Sequence, residues 1–130
     1  MERKIIIIRT RRVYDNNVNQ QLQWLGTSLG LFNLRDKDSS CFRVFITLVR
    51  TAKKRSLSSD EIAHMLDLSR GTVVHHLIKL MDAGIVVKEQ SGYILREETL
   101  QKVVADLQHD VNRYFSELQE VAKEIDERLG

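Results

Sequence analysis

The sequence predicts a mainly α-helical fold with one small β-hairpin, and the prediction depends on three stretches. Residues 58–84 contain two helix starts separated by a short polar break. Residues 85–96 contain two short β-prone runs around a glycine turn. Residues 97–129 contain neither proline nor glycine, which predicts a single long C-terminal helix.

The N-terminal segment, residues 4–13, is rich in β-branched residues and predicts a strand. An isolated strand of this kind leaves an open edge, so we expect it to pair with the hairpin or with its copy in a second subunit. Arg9, Arg11 and Arg12 at its end either protect that edge or contact phosphate.

Two amphipathic helices are predicted next. In residues 17–33, apolar side chains recur at intervals of four and three, which is one helical stripe. Residues 40–55, after an N-cap at Ser39, carry two neighbouring apolar rows, which indicates a helix buried over much of its girth. The cations at its end, in residues 53–55, either complement the helix dipole or contact phosphate.

Local signals define the starts of the two central helices. Ser58 is followed three residues later by a glutamate, so the pair fits a capping box at the start of the first helix. Ser69 is the predicted N-cap of the second helix. In that helix, Val73, Leu77 and Leu80 share one face at 100° per residue, and we expect them in the core.

A hairpin follows the second helix. Gly84 is predicted to end that helix in a left-handed conformation. The runs 85–89 and 93–96 then form two short strands, joined by a turn at residues 90–92. The sequence therefore predicts a small two-stranded wing.

These elements resemble a known family. A capped helix, the stretch LSRGTVVHHLIKLMDAGIV at residues 68–86 and a short hairpin are similar to the winged helix-turn-helix of prokaryotic regulators of the ArsR and MarR types, common in archaea. The resemblance covers about residues 39–96, and it implies that the second helix, residues 69–83, enters the DNA major groove. The sequence departs from the family pattern at Val74 and Ile78, where small or polar residues are usual.

The last predicted helix, residues 97–129, is about 50 Å long at 1.5 Å per residue. Its apolar residues alternate at spacings of four and three, a pattern typical of coiled coils. One small domain cannot cover so long a stripe, so we expect a second copy to cover it, as a two-stranded coil or as a bundle with the N-terminal helix. The stripe consists of Leu100, Val104, Leu107, Val111, Tyr114, Leu118, Val121 and Ile125.

Charge is divided along the chain. Residues 1–96 carry 16 Lys and Arg against 9 Asp and Glu, a net charge of +7, whereas residues 97–130 carry 4 against 9, a net charge of −5. Such asymmetry is typical of a protein with one end facing a polyanion. We therefore divide the chain into residues 1–38 for packing and dimerisation, 39–96 for DNA binding and 97–130 for dimerisation.

The sequence offers little for catalysis or metal binding. It has no phosphate loop, no glycine fingerprint after a strand and no HExxH motif. Cys41 is the only cysteine, which excludes an internal disulfide and the paired thiolates of metal-sensing ArsR proteins. His75 and His76 point about 100° apart on a helix and cannot chelate one ion together. We expect no enzyme, no cofactor and no metal.

The chain has no apolar run near the roughly 20 residues of a membrane span and no apolar stretch of signal-peptide length at its start. We expect a cytoplasmic protein that does not bind membranes. A chain of 130 residues can bury one core with appendages, so we expect no separate effector domain. The sequence does not indicate which small-molecule effector, if any, the protein binds.

The leading hypothesis is a homodimeric regulator that binds double-stranded DNA at an inverted repeat, with two recognition helices about 34–36 Å apart. The alternative is a winged-helix docking module that binds protein and not DNA. Arg70 is predicted to contact a guanine through both arms of its guanidinium, while helix starts and the wing contact phosphates or a flanking groove. The predicted DNA-binding residues are Ser58, Ser59, Ser69, Arg70, Gly71, Thr72, His75, Lys79, Lys88 and Gln90.

Overall fold

A computed structural model describes residues 4–9, 11–12, 14, 16–32, 39–51 and 55–130. The fold of these residues is mainly helical with one two-stranded hairpin, as predicted. The predicted cations at positions 53 and 54 lie outside the described residues. The elements are α1 (Val18–Ser28), α2 (Ser40–Thr51), α3 (Ser59–Leu66), α4 (Arg70–Asp82), β1 (Val86–Glu89), β2 (Gly92–Leu95) and α5 (Leu100–Leu129).

The central helices α3 and α4 begin at the predicted caps. The Ser58 hydroxyl accepts a hydrogen bond from the Glu61 amide at 3.0 Å, and the Ser58 amide donates to the Glu61 carboxylate at 3.2 Å. The Ser69 hydroxyl accepts from the Thr72 amide at 3.1 Å. Asp67 ends α3 in a left-handed conformation with φ 53°, so the chain turns directly into α4.

The core lies under α4. The predicted inner face of that helix is fully buried at Val73, Leu77 and Leu80. Opposite it, α2 buries Val44 and Phe45 in the same cluster. Each side chain of this size stabilises the fold by about 1.5–3 kcal/mol when it is removed from water, so α4 is held firmly along its length.

The hairpin pairs β1 with β2 in antiparallel register, with Val86 opposite Leu95. Leu57, just before α3, adds an isolated bridge to Tyr93 through backbone hydrogen bonds of 2.9 and 2.7 Å. Gly92 is required at this crossing, because a Cβ atom there would lie 2.7 Å from the Leu57 carbonyl. The wing is therefore attached to the start of the helix-turn-helix.

The predicted N-terminal strand is wrong for the part of the segment that the structure describes. Residues 4–9 and 11–12 form no strand. Instead, the Lys4 amide donates to the Asp82 carbonyl at 3.0 Å, and the Ile8 amide donates to the Ser28 carbonyl at 2.8 Å. Asp82 and Ser28 are the last residues of α4 and α1, and helix ends present carbonyls without an intrahelical partner. These carbonyls bind the N-terminal segment. The hairpin strands pair with each other and not with the described part of this segment. Pairing of the segment with its copy in a second subunit stays a prediction.

Two helices are shorter than predicted. Helix α1 ends at Ser28, because Gly30 adopts φ 71° and the chain turns. Helix α2 is described as far as Thr51, and residues 52–54 of its predicted end lie outside the described residues. Helix α5 begins at Leu100, after Thr99 caps it, rather than at residue 97.

The long helix α5 is present and has two contrasting halves. Val103 and Leu107 in its first turns are buried in the core. From residue 112 to the end, every residue is exposed. Only the beginning of α5 therefore belongs to the packed domain.

Candidate nucleic-acid interface

The structure brings the starts of α3 and α4 together on one surface. Arg70, the first residue of α4, lies with its Nε 3.5 Å from the Asp60 carboxylate in the first turn of α3. Both side chains of this ion pair are largely exposed. An exposed pair contributes only about 0–1 kcal/mol, so the guanidinium of Arg70 is readily released to another acceptor.

The predicted serines have structural roles at these starts. Ser58 forms the capping box of α3, and Ser69 caps α4 while donating a hydrogen bond to the Thr72 hydroxyl at 2.8 Å. Ser59 is the first residue of α3 and is partly buried. These caps orient two helix N-termini, whose amides favour anions. A phosphate contact from the serine hydroxyls themselves stays a prediction.

Gly71 in the first turn of α4 has open space where a side chain would be. Apart from its two chain neighbours and the backbone of α4 itself, no heavy atom of the described residues lies within 4 Å of the position that a Cβ atom would occupy. Glycine in a helix is less favourable than alanine by about 0.5–1 kcal/mol. Packing within the chain therefore does not explain the glycine, and the backbone of α4 is open to close approach at this point.

The second half of the predicted contact face is flanked by the N-terminal segment. His75 and Lys79 line a cleft of about 270 Å³ together with Lys4 and Ile6. The sequence does not indicate this neighbour, because no local pattern shows that residues 4–9 bind helix ends. The cations Lys4 and Lys79 thereby lie on the same side of the molecule.

The remaining predicted contacts, Lys88 and Gln90, are exposed on the wing. The Lys88 ammonium lies 5.8 Å from the ring centre of Tyr93, so its side chain leans along the hairpin. In the part of the chain that the structure describes, no hydrogen bond or ion pair joins either residue to α4. The wing is therefore a separate exposed surface beside the helix-turn-helix.

His76 and Cys41 have structural roles. The His76 Nε2 lies 2.6 Å from the Ser40 hydroxyl, which joins α4 to the start of α2. The buried Cys41 thiol donates to the Leu31 carbonyl at 3.3 Å. Within the described ranges there is no group of three metal-ligating side chains.

One carboxylate at this surface has a shifted pKa. Arg55 donates to Glu61 at 2.7 Å, and this hydrogen bond, with that of the Ser58 amide, lowers the pKa of Glu61 below its ordinary value of 4.5. Glu61 therefore stays ionised and keeps the cap of α3 closed at neutral pH.

A tri-helical core with two capped helices, a tight turn and an attached hairpin defines a winged helix-turn-helix. Residues 49–88 match the family model described as bacterial regulatory protein, arsR family. This stretch extends from the end of α2 to β1, and the match confirms the resemblance of these residues to ArsR-type regulators.

Among solved structures, the chain is similar to a MarR family protein from Mycobacterium tuberculosis, with 21% identity and a TM-score of 0.44, over 86% of this chain and 84% of that chain. A comparison with curated proteins gave no match. In the described residues, no helix combines the length and the apolar character that a membrane crossing needs.

Proposed function

We propose that this protein is a homodimeric transcription regulator that binds double-stranded DNA, with α4 of each copy in the major groove of an inverted repeat. The observation that carries the proposal is the contrast between the two sides of α4. Its inner face is fully buried at Val73, Leu77 and Leu80, while its first turn is exposed at Arg70 and Gly71. A helix held so firmly presents its outer side chains to bases in one register.

Each outward group of α4 has a role in this proposal. Arg70 contacts a guanine edge with both arms of its guanidinium, since its pair with Asp60 is weak. Gly71 lets the helix backbone approach the DNA closely. Thr72, His75 and Lys79 contact base edges or neighbouring phosphates. The other proposed contacts are phosphate or flanking-groove contacts from Ser58, Ser59, Ser69, Lys88 and Gln90.

Dimerisation is proposed to occur through the C-terminal segment, residues 97–130, which contains α5. Its apolar residues continue at coiled-coil spacing beyond residue 112, where every residue is exposed. Burying the exposed part of each such side chain against a second copy would stabilise the dimer by about 1 kcal/mol. The exposed apolar residues are Tyr114, Phe115, Leu118, Val121, Ile125 and Leu129.

Selection of bound sequences from a random duplex pool tests the proposal. A twofold-symmetric dimer should recover two inverted half-sites whose centres are about one helical turn apart, or a multiple of that distance. Recovery of a single half-site without symmetry would contradict the dimer arrangement while leaving DNA binding in place.

The salt dependence of binding to random duplex separates this function from a docking module. A DNA-binding protein should lose affinity steeply as salt rises, because its Lys and Arg side chains release counterions from phosphates. Absence of any salt-sensitive association would contradict DNA binding and favour protein docking. Lys123→Ala is a matched control, since this exposed cation lies far along α5 from the proposed surface and should leave the salt dependence unchanged.

A further inference from the structure

Arg96 joins the end of the wing to the long helix. Its Nη1 lies 2.7 Å from Oδ2 of Asp110, its Nη2 lies 3.4 Å from Oδ1 of the same carboxylate, and its Nε lies 3.4 Å from Asp106. The side chains of Arg96 and Asp110 are only 19% and 11% exposed. Bidentate, charge-assisted hydrogen bonds that are largely shielded from solvent are stronger and more directional than surface ion pairs. The Asp110 carboxylate accordingly raises the pKa of Arg96.

The same residue is also bonded to the end of the recognition helix. The Arg96 amide donates to the Ile85 carbonyl at 2.8 Å, and its guanidinium donates to the Gly84 carbonyl at 3.5 Å. Gly84, with φ 78°, is where the chain leaves α4. A single residue, through its amide and its guanidinium, thus connects the exit of α4, the end of β2 and α5.

This contact lies where α5 leaves the packed domain. Asp106 and Asp110 are one helical turn apart, on either side of Leu107, the last buried residue of the helix. The exposed residues 112–129 extend about 27 Å beyond it. A tilt of about 10° at the contact would displace the tip of such a helix by about 5 Å, more than the rise of one base pair.

We propose that Arg96, through Asp106 and Asp110, is a positioning residue that sets the angle of α5 against α4 and thereby the half-site spacing that the dimer accepts. The inference rests on the proposed function, because spacing has meaning only for two recognition helices joined through α5. A guanidinium is suited to this role, since its planar fork fixes the direction of two carboxylates, which a lysine ammonium does not do.

The test compares Arg96→Lys with Arg113→Lys. The first variant keeps the charge and loses the fork. The second is a matched control, because Arg113 also contacts Asp110, at 3.3 Å, but is 76% exposed and, in the described residues, forms its ion pair within α5. Affinity is measured for a duplex series in which the half-sites are moved apart one base pair at a time, and for a duplex with a single half-site.

The wild-type protein and Arg113→Lys should prefer one spacing about tenfold over its neighbours, and Arg96→Lys should reduce that preference to about twofold, while affinity for the single half-site stays within about twofold of wild type. Unchanged spacing preference in Arg96→Lys would overturn the proposal. A loss of single-half-site affinity as large as the loss at the preferred spacing would also overturn it, because the effect would then be on the DNA-binding domain itself.

A second measurement does not need DNA. Spin labels are attached at Gln90→Cys on the wing in a Cys41→Ala background, and the distance between the two labels of a dimer is recorded. The distribution should be narrow in the wild-type sequence and at least about twice as broad in Arg96→Lys, since loss of the fork frees the angle of α5. Equal widths would overturn the inference. If the wild-type protein bound no duplex, the proposed function would fail, but the label distances would still decide whether Arg96 holds the angle of α5. If no distance between labels on two copies were detected, there would be no dimer, and both the proposed function and this inference would be overturned.

Discussion

Helices α4 and α5 are both amphipathic, but the chain covers the apolar face of only one of them. The inner face of α4 is fully buried along its length at Val73, Leu77 and Leu80. In the stripe of α5, Leu107 is buried beside the neighbouring Val103, whereas Val104 and every member from residue 112 onward are exposed. An apolar stripe indicates that a helix packs against something, and it does not say whether the partner is in the same chain. The two helices therefore depend on different interactions, and single substitutions can separate them.

The largest expected effect comes from truncating matched leucines on the two helices. Leu77→Ala should lower the free energy of unfolding by about 2–5 kcal/mol at any protein concentration, because it leaves a cavity in the core. Leu118→Ala, on the exposed part of α5, should instead weaken the association of two copies, so its effect on stability should depend on protein concentration. Chemical denaturation at two protein concentrations distinguishes the two effects. A concentration-independent loss of the same size for Leu118→Ala would contradict dimerisation through α5.

The outer side of α4 offers the next largest effect. Arg70→Ala should cost about 1–3 kcal/mol of discrimination at one operator position, since a bidentate guanine contact is lost. Binding to operators substituted one base at a time measures this loss.

Two controls sharpen the Arg70 measurement. Arg70→Lys keeps the charge and should relax specificity without changing the salt dependence. Lys88→Ala on the wing should weaken all sequences alike and reduce the salt slope by about 1. If Arg70→Ala lost equal affinity at every substituted base, Arg70 would contact phosphate and not a base edge.

The cap of α3 predicts a smaller effect on stability. Ser58→Ala should lower the free energy of unfolding by about 1 kcal/mol at neutral pH, because it removes the hydroxyl that accepts the Glu61 amide. Thermal unfolding of the variant and of wild type checks this value. Ser56→Ala is the matched control, since Ser56 lies just before the cap and outside the helix.

The contribution of Glu61 to the same cap should depend on pH. Its pKa in the folded protein is lowered, so the stabilisation is fully present above the unfolded value near 4.5 and is lost as pH falls through the lower folded value. The difference in unfolding free energy between wild type and Glu61→Gln should therefore shrink on acidification below pH 4.5. A difference that grows at low pH would contradict the assigned hydrogen bonds.

The smallest effect is also a specific one. Gly71→Ala should stabilise the free protein by about 0.4–1 kcal/mol, since alanine restricts the unfolded chain and meets no neighbour in α4. The same methyl group should weaken DNA binding if the helix backbone approaches the duplex there. Unfolding and binding are measured on the same preparation, and a variant that gained stability without losing affinity would place the DNA elsewhere on α4.

The sequence alone was sufficient for the starts of α3 and α4 and for the face of α4 that is buried. Caps such as Ser58 and Ser69 act within one turn, and helical periodicity is a local property, so neighbouring residues determine both. The same local reasoning correctly predicted the wing and the long α5. It failed for the N-terminal segment, where β-branched composition indicated a strand.

Only the tertiary structure decided the contacts that join distant parts of the chain. Lys4 binds a carbonyl at the end of α4, far along the sequence, because that helix end happens to lie beside it. Arg96 binds Asp110 because the wing and α5 meet at one particular angle. Such contacts depend on the relative position of packed elements, which no local pattern specifies, whereas caps and amphipathic faces depend on residues within one or two turns.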